Sequence, residues 1–152
     1  PGKMTLAFTL ARNRNLYFDL GGPVEGGRWG WSVFLSEFRD GHYQEPRALG
    51  GGVNEGRVNQ TPFVAPDESY LLFSSWREGS LGGGDLYISY RGKDGAWLPP
   101  VSLGEGVNSE AQERFPTVSP DGKYLFFSRS SGRTSDDFYW VDARVLEQAR
   151  GR

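Results

Sequence analysis

The sequence has no cysteine, one histidine and one methionine among its 152 residues. Without cysteine the chain can form neither a disulfide bond nor a thiolate metal site, although many exported domains also lack cysteine. The single histidine, His42, stands in the turn-forming sequence Asp-Gly-His-Tyr. We interpret it as a solvated turn residue, because a catalytic base needs positioned partners and a pocket, and a Ser-His-Asp triad would have to use it. We therefore expect no enzyme activity, no catalytic residues, no cofactor and no bound metal.

A surplus of positive charge and a long apolar run are also missing. Lys and Arg number 17 and Asp and Glu number 19, for a net charge of −2, so we expect no nucleic-acid partner. No apolar run approaches the roughly 20 residues of a membrane-spanning helix, so we expect no membrane insertion. The sequence starts at Pro1 without an initiator methionine or a signal peptide, which we interpret as a cut through a longer chain or a processed end.

Glycine, proline and aromatic residues are abundant instead. The chain has 22 glycines and 9 prolines, and 14% of its residues are aromatic. This composition is typical of tight turns that join short aromatic strands rather than helices. It predicts an all-β fold.

Two segments of the sequence repeat at a spacing of 54 residues. TPFVAPDESYLLFSS at residues 61–75 matches FPTVSPDGKYLFFSR at residues 115–129, and DGHYQEPRALGGGVN at residues 40–54 matches DGAWLPPVSLGEGVN at residues 94–108. Proline, aspartate and glycine at the centre of the first pair form a turn, so strands must flank it. A more diverged copy, at residues 6–19, retains the apolar residues but not the turn residues.

Each full copy predicts a four-stranded antiparallel sheet of about fifty residues, which is the blade of a β-propeller, and the last copy is partial because it lacks the outer strand after Val141. The predicted blades span about residues 5–54, 59–108 and 113–142, and a short C-terminal helix follows at about residues 143–150. The whole chain is then a partial propeller of about three blades.

The signatures SPDGKYLFFS, APDESYLLFSS and GGGDLYIS, with W-x-x-P-V-x-LG, resemble the TolB-type, WD-like propeller repeat of exported bacterial proteins. The resemblance covers nearly the whole chain. It implies a periplasmic or extracellular location and a non-enzymatic platform that binds proteins. The ending DFYWVDARVLEQAR also resembles the way such chains finish, so we expect Arg152 to lie close to a natural C-terminus.

The number of blades predicts a partner. Many TolB-like propellers have six blades, and rings of fewer than about four blades are not expected. Three blades cannot close a ring, and an open fan exposes aromatic faces and strand edges that invite association. We expect half of a six-bladed propeller that pairs with another half, either a preceding part of the same protein or a second copy.

Four arginines and a tryptophan are the candidate ligand-binding residues. They lie in segments that propellers place on one face near the central channel, where they could form a rim for an acidic glycan or an acidic peptide. The residues are Arg57, Trp76, Arg77, Arg114 and Arg129. Any one of these arginines could instead be a solvated residue paired with a nearby glutamate.

Other polar and aromatic residues receive structural interpretations. Asp67 and Asp121 repeat at one turn position, which favours turn formers over paired acids. Aspartates that follow glycine- or serine-rich loops lack the dense oxygen ligands of a calcium loop, so we interpret them as strand starts; these are Asp85, Asp136 and Asp137. The tryptophans assigned to packing between blades are Trp29, Trp31, Trp97 and Trp140.

Two other functions remain open at this point. Related propellers occur as domains of hydrolases and polysaccharide lyases, but an active site would need clustered histidine and acidic residues. A purely structural half-propeller, whose role is assembly into a ring, is the third hypothesis.

Overall fold

The computed structural model describes residues 3–23, 28–130, 132 and 136–151. This part of the chain holds thirteen strands and one short helix, and the all-β fold class predicted from the sequence is confirmed. The elements are β1 (Phe8–Leu10), β2 (Leu16–Pro23), β3 (Trp29–Ser36), β4 (Phe38–Arg39), β5 (His42–Tyr43), β6 (Arg47–Ala48), β7 (Val58–Val64), β8 (Tyr70–Trp76), β9 (Asp85–Tyr90), β10 (Val101–Ser102), β11 (Gln112–Val118), β12 (Tyr124–Ser130), β13 (Asp136–Asp142) and α1 (Arg144–Ala149).

Eleven of the thirteen strands form three antiparallel groups in chain order, and β4 and β5 pair separately as a two-stranded ribbon. The first sheet has the order β1-β2-β3-β6, the second β7-β8-β9-β10 and the third β11-β12-β13. A parallel bridge between Trp31 and Val58 links the first sheet to the second. Gly84 and Gln112 form the corresponding bridge between the second sheet and the third. Each sheet is therefore hydrogen-bonded to the next at one end.

The turns between the first two strands of the second and third sheets follow from their Pro-Asp sequences. The Asp67 carboxylate accepts hydrogen bonds from the Ser69 N–H and hydroxyl at 3.0 and 2.6 Å. Asp121 accepts from the Ser119 hydroxyl at 2.6 Å and the Lys123 N–H at 3.2 Å. Each carboxylate bonds the backbone two residues on, as an Asx-turn requires. These bonds confirm the interpretation of both aspartates as turn formers.

The first strands of neighbouring sheets lie next to each other. β7 and β11 each carry an irregularity in register, and within it Thr61 and Phe115 adopt left-handed backbone with φ of 51° and 52°. The Thr61 N–H donates to the Asp19 carboxylate at 2.8 Å, and the Phe115 N–H donates to the Thr61 hydroxyl at 3.2 Å. These bonds join the first sheet to the second and the second sheet to the third.

The repeated Val-Asn pair extends the sheets by side-chain hydrogen bonds, a role that the sequence did not indicate. The Asn54 amide accepts from the Val33 N–H at 2.7 Å and donates to the Val33 carbonyl at 2.9 Å. Asn108 makes the same two bonds to Leu86, at 2.8 and 3.0 Å. Each asparagine thus satisfies backbone groups of a third strand where the outer strand has ended.

The hydrophobic core consists of two clusters, one between each pair of neighbouring sheets. Tyr17, Val33 and Leu35 of the first sheet meet Leu71 and Phe73 of the second. On the other face of the second sheet a separate set packs against the third sheet and α1; it comprises Leu72, Leu86, Ile88, Leu125, Phe127 and Leu146. The second sheet is therefore covered on both faces.

Two of the four tryptophans do not pack between sheets as predicted. Trp97 is buried and meets the Tyr17 ring edge to face, with centroids 6.1 Å apart. Trp29 and Trp140 are 39% and 64% exposed, so neither is packed between two sheets of this one chain. Trp29 begins β3 beyond the bridge to the second sheet, and Trp140 lies on the open face of the third sheet.

Candidate functional site

The five candidate residues lie where β7 and β11 begin and β8 and β12 end, at the opposite end of the sheets from the Pro-Asp turns. Arg57 directly precedes β7, and Trp76 pairs with Val58 at the end of β8. Arg129 pairs with Glu113 in the corresponding part of the third sheet. We call this end of the molecule the rim end.

The Arg77 guanidinium is engaged by its own chain. Its Nη2 donates to the Val53 carbonyl at 2.9 Å and the Asn59 Oδ1 at 3.0 Å, and its Nε donates to the Ser75 hydroxyl at 2.9 Å. The guanidinium carbon lies 4.8 Å from the centre of the Tyr87 ring. Burial lowers the pKa of Arg77 from its ordinary value. Arg77 therefore ties the end of the first repeat to the second sheet.

Arg129 places its guanidinium in the equivalent position of the third sheet. It donates to the Glu113 Oε1 at 2.7 Å and the Val107 carbonyl at 2.8 Å, and it lies 4.6 Å from the centre of the Tyr139 ring. Val107 and Glu113 follow Val53 and Asn59 by the repeat spacing of 54 residues. By register, however, Arg129 matches Ser75 rather than Arg77. The repeat thus keeps the location of this charge but not the residue that supplies it.

Arg57 and Trp76 are exposed at the rim end. The Arg57 Nε donates to the Trp29 carbonyl at 3.0 Å, and its two Nη groups have no hydrogen-bond partner among the described residues. Trp76 is 43% exposed, and its indole lies against Gly84, where a Cβ would stand 2.5 Å from Nε1. Any residue larger than glycine at position 84 would therefore clash with the Trp76 ring. Trp29, whose backbone carbonyl accepts this bond from Arg57, is also exposed.

Arg114 is partly engaged in an ion pair. Its Nη2 donates to the Asp136 carboxylate at 3.1 Å, and its guanidinium carbon lies 5.7 Å from the centre of the Phe115 ring. Its Nε is buried and has no hydrogen-bond partner among the described residues. Arg114 thus contributes a cation whose charge Asp136 offsets in part.

These positions separate the five candidates into three groups. Arg77 and Arg129 have several acceptors within the chain, Arg114 is paired with Asp136, and Arg57 and Trp76 are exposed. An exposed guanidinium can donate two parallel N–H bonds to a carboxylate, and exposed indole rings supply apolar contact area beside it. The rim end thus carries exposed hydrogen-bond donors of positive charge and an exposed indole.

Glu68 forms a polar cluster that the sequence did not reveal. Its carboxylate accepts from the Tyr17 hydroxyl at 2.6 Å and from the Asn13 and Asn15 amides at 2.9 Å each. Burial raises the pKa of Glu68, but the hydrogen bonds from Tyr17, Asn15 and Asn13 outweigh burial and hold the pKa below its ordinary value. Burial, together with the Glu68 carboxylate, raises the pKa of Tyr17. The cluster joins the turn of the first sheet to the turn of the second.

Other acidic residues and His42 have structural contacts. The buried Asp85 carboxylate accepts from the Leu81 and Gly82 N–H groups at 2.9 and 3.1 Å. The exposed His42 has its Nδ1 3.0 Å from the Asp40 carbonyl. Within residues 3–23, 28–130, 132 and 136–151, no three His, Cys, Asp or Glu side chains are grouped to hold a metal ion. The one helix of this part of the chain is too short to cross a membrane.

Comparison with known proteins gives a likeness of fold. No protein family model and no curated protein matches the sequence. Among solved structures, TolB from Acinetobacter baumannii superposes with a TM-score of 0.52 at 18% sequence identity. The superposition covers 92% of this chain and 30% of that chain. At this identity the likeness shows the fold, which is TolB-like, and the chain spans about a third of the length of that TolB.

Proposed function

We propose that this protein is a non-enzymatic binding platform of the TolB-like propeller type, exported to the periplasm or the cell exterior, which recognises an acidic segment of a partner protein. The observation that carries the proposal is Arg57, an exposed guanidinium whose two Nη groups are unpaired among the described residues. Two exposed tryptophans belong to the neighbouring backbone: Trp29, whose carbonyl accepts from Arg57, and Trp76, which pairs with Val58, the residue after Arg57. An acidic side chain that binds Arg57 can bury neighbouring apolar atoms against these indoles.

The other three candidates have supporting roles in this proposal. Arg114 adds positive charge at the same end, and an incoming carboxylate competes with Asp136 for it. Arg77 and Arg129 hold the ends of the first and second repeats against the following sheets. They give the rim end a fixed shape, and rigid supporting elements keep a binding site in its productive geometry.

The proposal includes the division of the chain into blades at about residues 5–54, 59–108 and 113–142. These three blades form half of a six-bladed ring, and the chain pairs with another half-propeller. The support is that the third sheet has three strands where the first and second have four, and that large aromatic residues of the third sheet are exposed.

Binding of acidic probes tests the rim end. The probes are fluorescein-labelled poly-glutamate, for an acidic peptide, and fluorescein-labelled polygalacturonate, for a carboxylated glycan, with anisotropy as the readout. Arg57→Ala is expected to weaken poly-glutamate binding about tenfold, since a hydrogen bond to a charged group contributes roughly 1.5–3 kcal/mol. Trp76→Ala is expected to weaken it less.

The matched control is Lys93→Ala, which removes an exposed positive charge on the segment that follows β9, away from the rim end. Equal loss in Lys93→Ala and Arg57→Ala would mean that only net charge matters, and unchanged binding in Arg57→Ala would remove Arg57 from the site. Tighter binding of polygalacturonate than of poly-glutamate would replace the acidic peptide with an acidic glycan.

A further inference from the structure

The third sheet presents an open aromatic face. Phe126, Phe138 and Trp140 are 38%, 85% and 64% exposed. Phe126 pairs directly with Trp140 across β12 and β13, and Phe138 lies two residues along the same strand. Side chains that pair across antiparallel strands, and those two residues apart, share one face of the sheet. The three rings therefore form one apolar surface.

The same positions are buried in the second sheet. Leu72 pairs with Ile88 in the register in which Phe126 pairs with Trp140, and Leu86 corresponds to Phe138. Leu72, Ile88 and Leu86 are fully buried because the third sheet covers them. The corresponding residues of the first sheet are also buried, beneath the second sheet; they are Tyr17, Leu35 and Val33. The open face is thus one half of an interface that the chain builds twice.

The first sheet presents the other half of this interface. Its Phe18 and Phe34 rings stack at 5.9 Å, in the register of the Phe73–Tyr87 pair that faces the first sheet from the second. Phe8 pairs with Phe18 and is 68% exposed. The face of the first sheet that carries Phe8, Phe18 and Phe34 is therefore uncovered, whereas the corresponding face of the second sheet is covered by the first sheet.

The turns show which charges would meet if the two open faces packed together. In each sheet the turn is closed by an N–H to a carbonyl three residues earlier: Arg14 to Ala11, Glu68 to Ala65 and Gly122 to Ser119. Arg14, Glu68 and Gly122 are therefore equivalent, and all have positive φ.

Glu68 of the second sheet binds Asn13 of the first at 2.9 Å. Asn13 precedes Arg14 as Asp121 precedes Gly122, so the equivalent contact across the open faces joins Arg14 to Asp121. These two side chains carry opposite charges.

A second contact has the same logic. Trp97 of the second repeat packs edge to face on Tyr17 of the first sheet. Tyr43 stands 54 residues before Trp97 in the repeated block and is exposed, and Phe126 corresponds to Tyr17. The repeat therefore places Tyr43 of a following sheet against Phe126.

We propose that a second copy of this chain packs its first sheet on the third sheet of the first copy, and the reverse, so that two copies close a six-sheet ring about a twofold axis. Arg14 of each copy then meets Asp121 of the other, and Tyr43 meets Phe126. This is an isologous arrangement, since each copy contributes the same two surfaces. The inference rests on the ring in the proposed function and names its second half as another copy of the same chain.

Light scattering with two glutamate variants tests the packing. The wild-type chain at high micromolar concentration is expected to have twice the 16.9 kDa mass of one chain. Trp140→Glu is expected to reduce the mass to that of one chain, and the control Leu81→Glu, at an exposed leucine outside both open faces, is expected to leave it doubled. A single-chain mass for the wild type, a series of larger oligomers, or a dimer that Trp140→Glu leaves intact would overturn the second copy as the occupant.

A charge exchange tests the register. Asp121→Lys and Arg14→Asp are each expected to weaken self-association at least tenfold, because like charges then face each other at both contacts. An equimolar mixture of the two variants is expected to restore the doubled mass, since both contacts of the mixed dimer are again opposite in charge. Thermal melts verify that each variant folds. A mixture no heavier than its separate components would refute the Arg14–Asp121 pairing.

Poly-glutamate binding measured on the same samples separates the two proposals. If no dimer is found but poly-glutamate binding still depends on Arg57, the second copy is refuted and the binding platform remains. If Arg57→Ala leaves dimerisation unchanged and the dimer binds no acidic probe, the acidic-ligand site is refuted and the ring remains.

Discussion

The interface between the first and second sheets and the interface between the second and third are built on one backbone plan with different side chains. At the first, the Glu68 carboxylate accepts hydrogen bonds from the turn of the first sheet, and the neutral Asn59 side chain accepts one from Arg77. At the second, Gly122 replaces Glu68, and the buried carboxylate of Glu113 receives Arg129. The first interface thus has the Glu68 carboxylate at the turn end and the Asp19 carboxylate on Thr61, whereas the second has the Glu113 carboxylate at the rim end.

This difference shows what the repeat preserves. Register, bulge position and the location of the guanidinium recur in both interfaces, whereas the residue that carries each charge does not. Packing and backbone hydrogen bonds fix the shape of the sheets, and the charges adapt to the acceptors that the shape provides. Four sets of substitutions test this comparison.

Truncation of the core ring in the middle sheet has the largest expected effect. Phe73→Ala is expected to lower the free energy of unfolding by about 3–5 kcal/mol, since Phe73 is fully buried at the first interface. Phe18→Ala, at the equivalent position of the open face, is expected to cost about 1 kcal/mol in dilute solution. Urea unfolding measures both. Equal costs would mean that the first sheet is covered on both faces.

Removal of the guanidinium groups of Arg77 and Arg129 has the second-largest expected effect on stability, and this effect differs between the two interfaces. Arg129→Met is expected to destabilise the protein by about 3 kcal/mol, because it leaves the buried Glu113 carboxylate without its cation. Arg77→Met is expected to cost about 1 kcal/mol, because its acceptors are neutral. Adding Glu113→Gln to Arg129→Met is expected to recover part of the loss. A larger loss for Arg77→Met would contradict this account of the comparison.

Acid distinguishes the first interface. Because hydrogen bonds hold the folded-state pKa of Glu68 below its ordinary value of 4.5, its charge contributes fully above that value and less as the pH falls through the folded-state pKa. Glu68→Gln is expected to cost about 1–2 kcal/mol at pH 7, with a difference from wild type that shrinks in acid. Thermal melts between pH 7 and acid measure it. Glu105→Gln, at an exposed glutamate, serves as the control. A stability difference between wild type and Glu68→Gln that grows in acid would contradict the predicted pH dependence.

The turn of the third sheet has the smallest expected effect. Gly122 has a φ of 74°, and no atom lies within 4 Å of a Cβ added there. Gly122→Ala is therefore expected to cost about 1 kcal/mol from backbone conformation alone. Gly106→Ala is the matched control, because the space there is also open and no positive φ is required. Urea unfolding of the two variants measures the difference, and equal stabilities would show that the turn tolerates a side chain.

The sequence predicted what depends on neighbouring residues. The Pro-Asp turns and the apolar run from Tyr124 to Phe127 are local signals, and the strands β11 and β12 follow from them. The repeat spacing then extended the same reading to β7 and β8.

Contacts between distant residues were beyond such reasoning. Glu68 reads as part of a turn, yet its partners lie 51 to 55 residues away. The arginines of the rim end could be selected by type, but only the fold shows that Arg77 and Arg129 turn back onto the carbonyls of Val53 and Val107. The exposure of Trp140 likewise depends on which sheet covers which face.

Neighbouring sheets pack face to face, and their first strands lie next to each other. Nuclear Overhauser effects between sheets test this packing. Cross-peaks are expected from the Phe115 amide to the Thr61 side chain, whose N and Oγ1 atoms are 3.2 Å apart, and between the Trp97 and Tyr17 rings, whose centroids are 6.1 Å apart. Strong cross-peaks within each sheet, with neither of these between sheets, would contradict it.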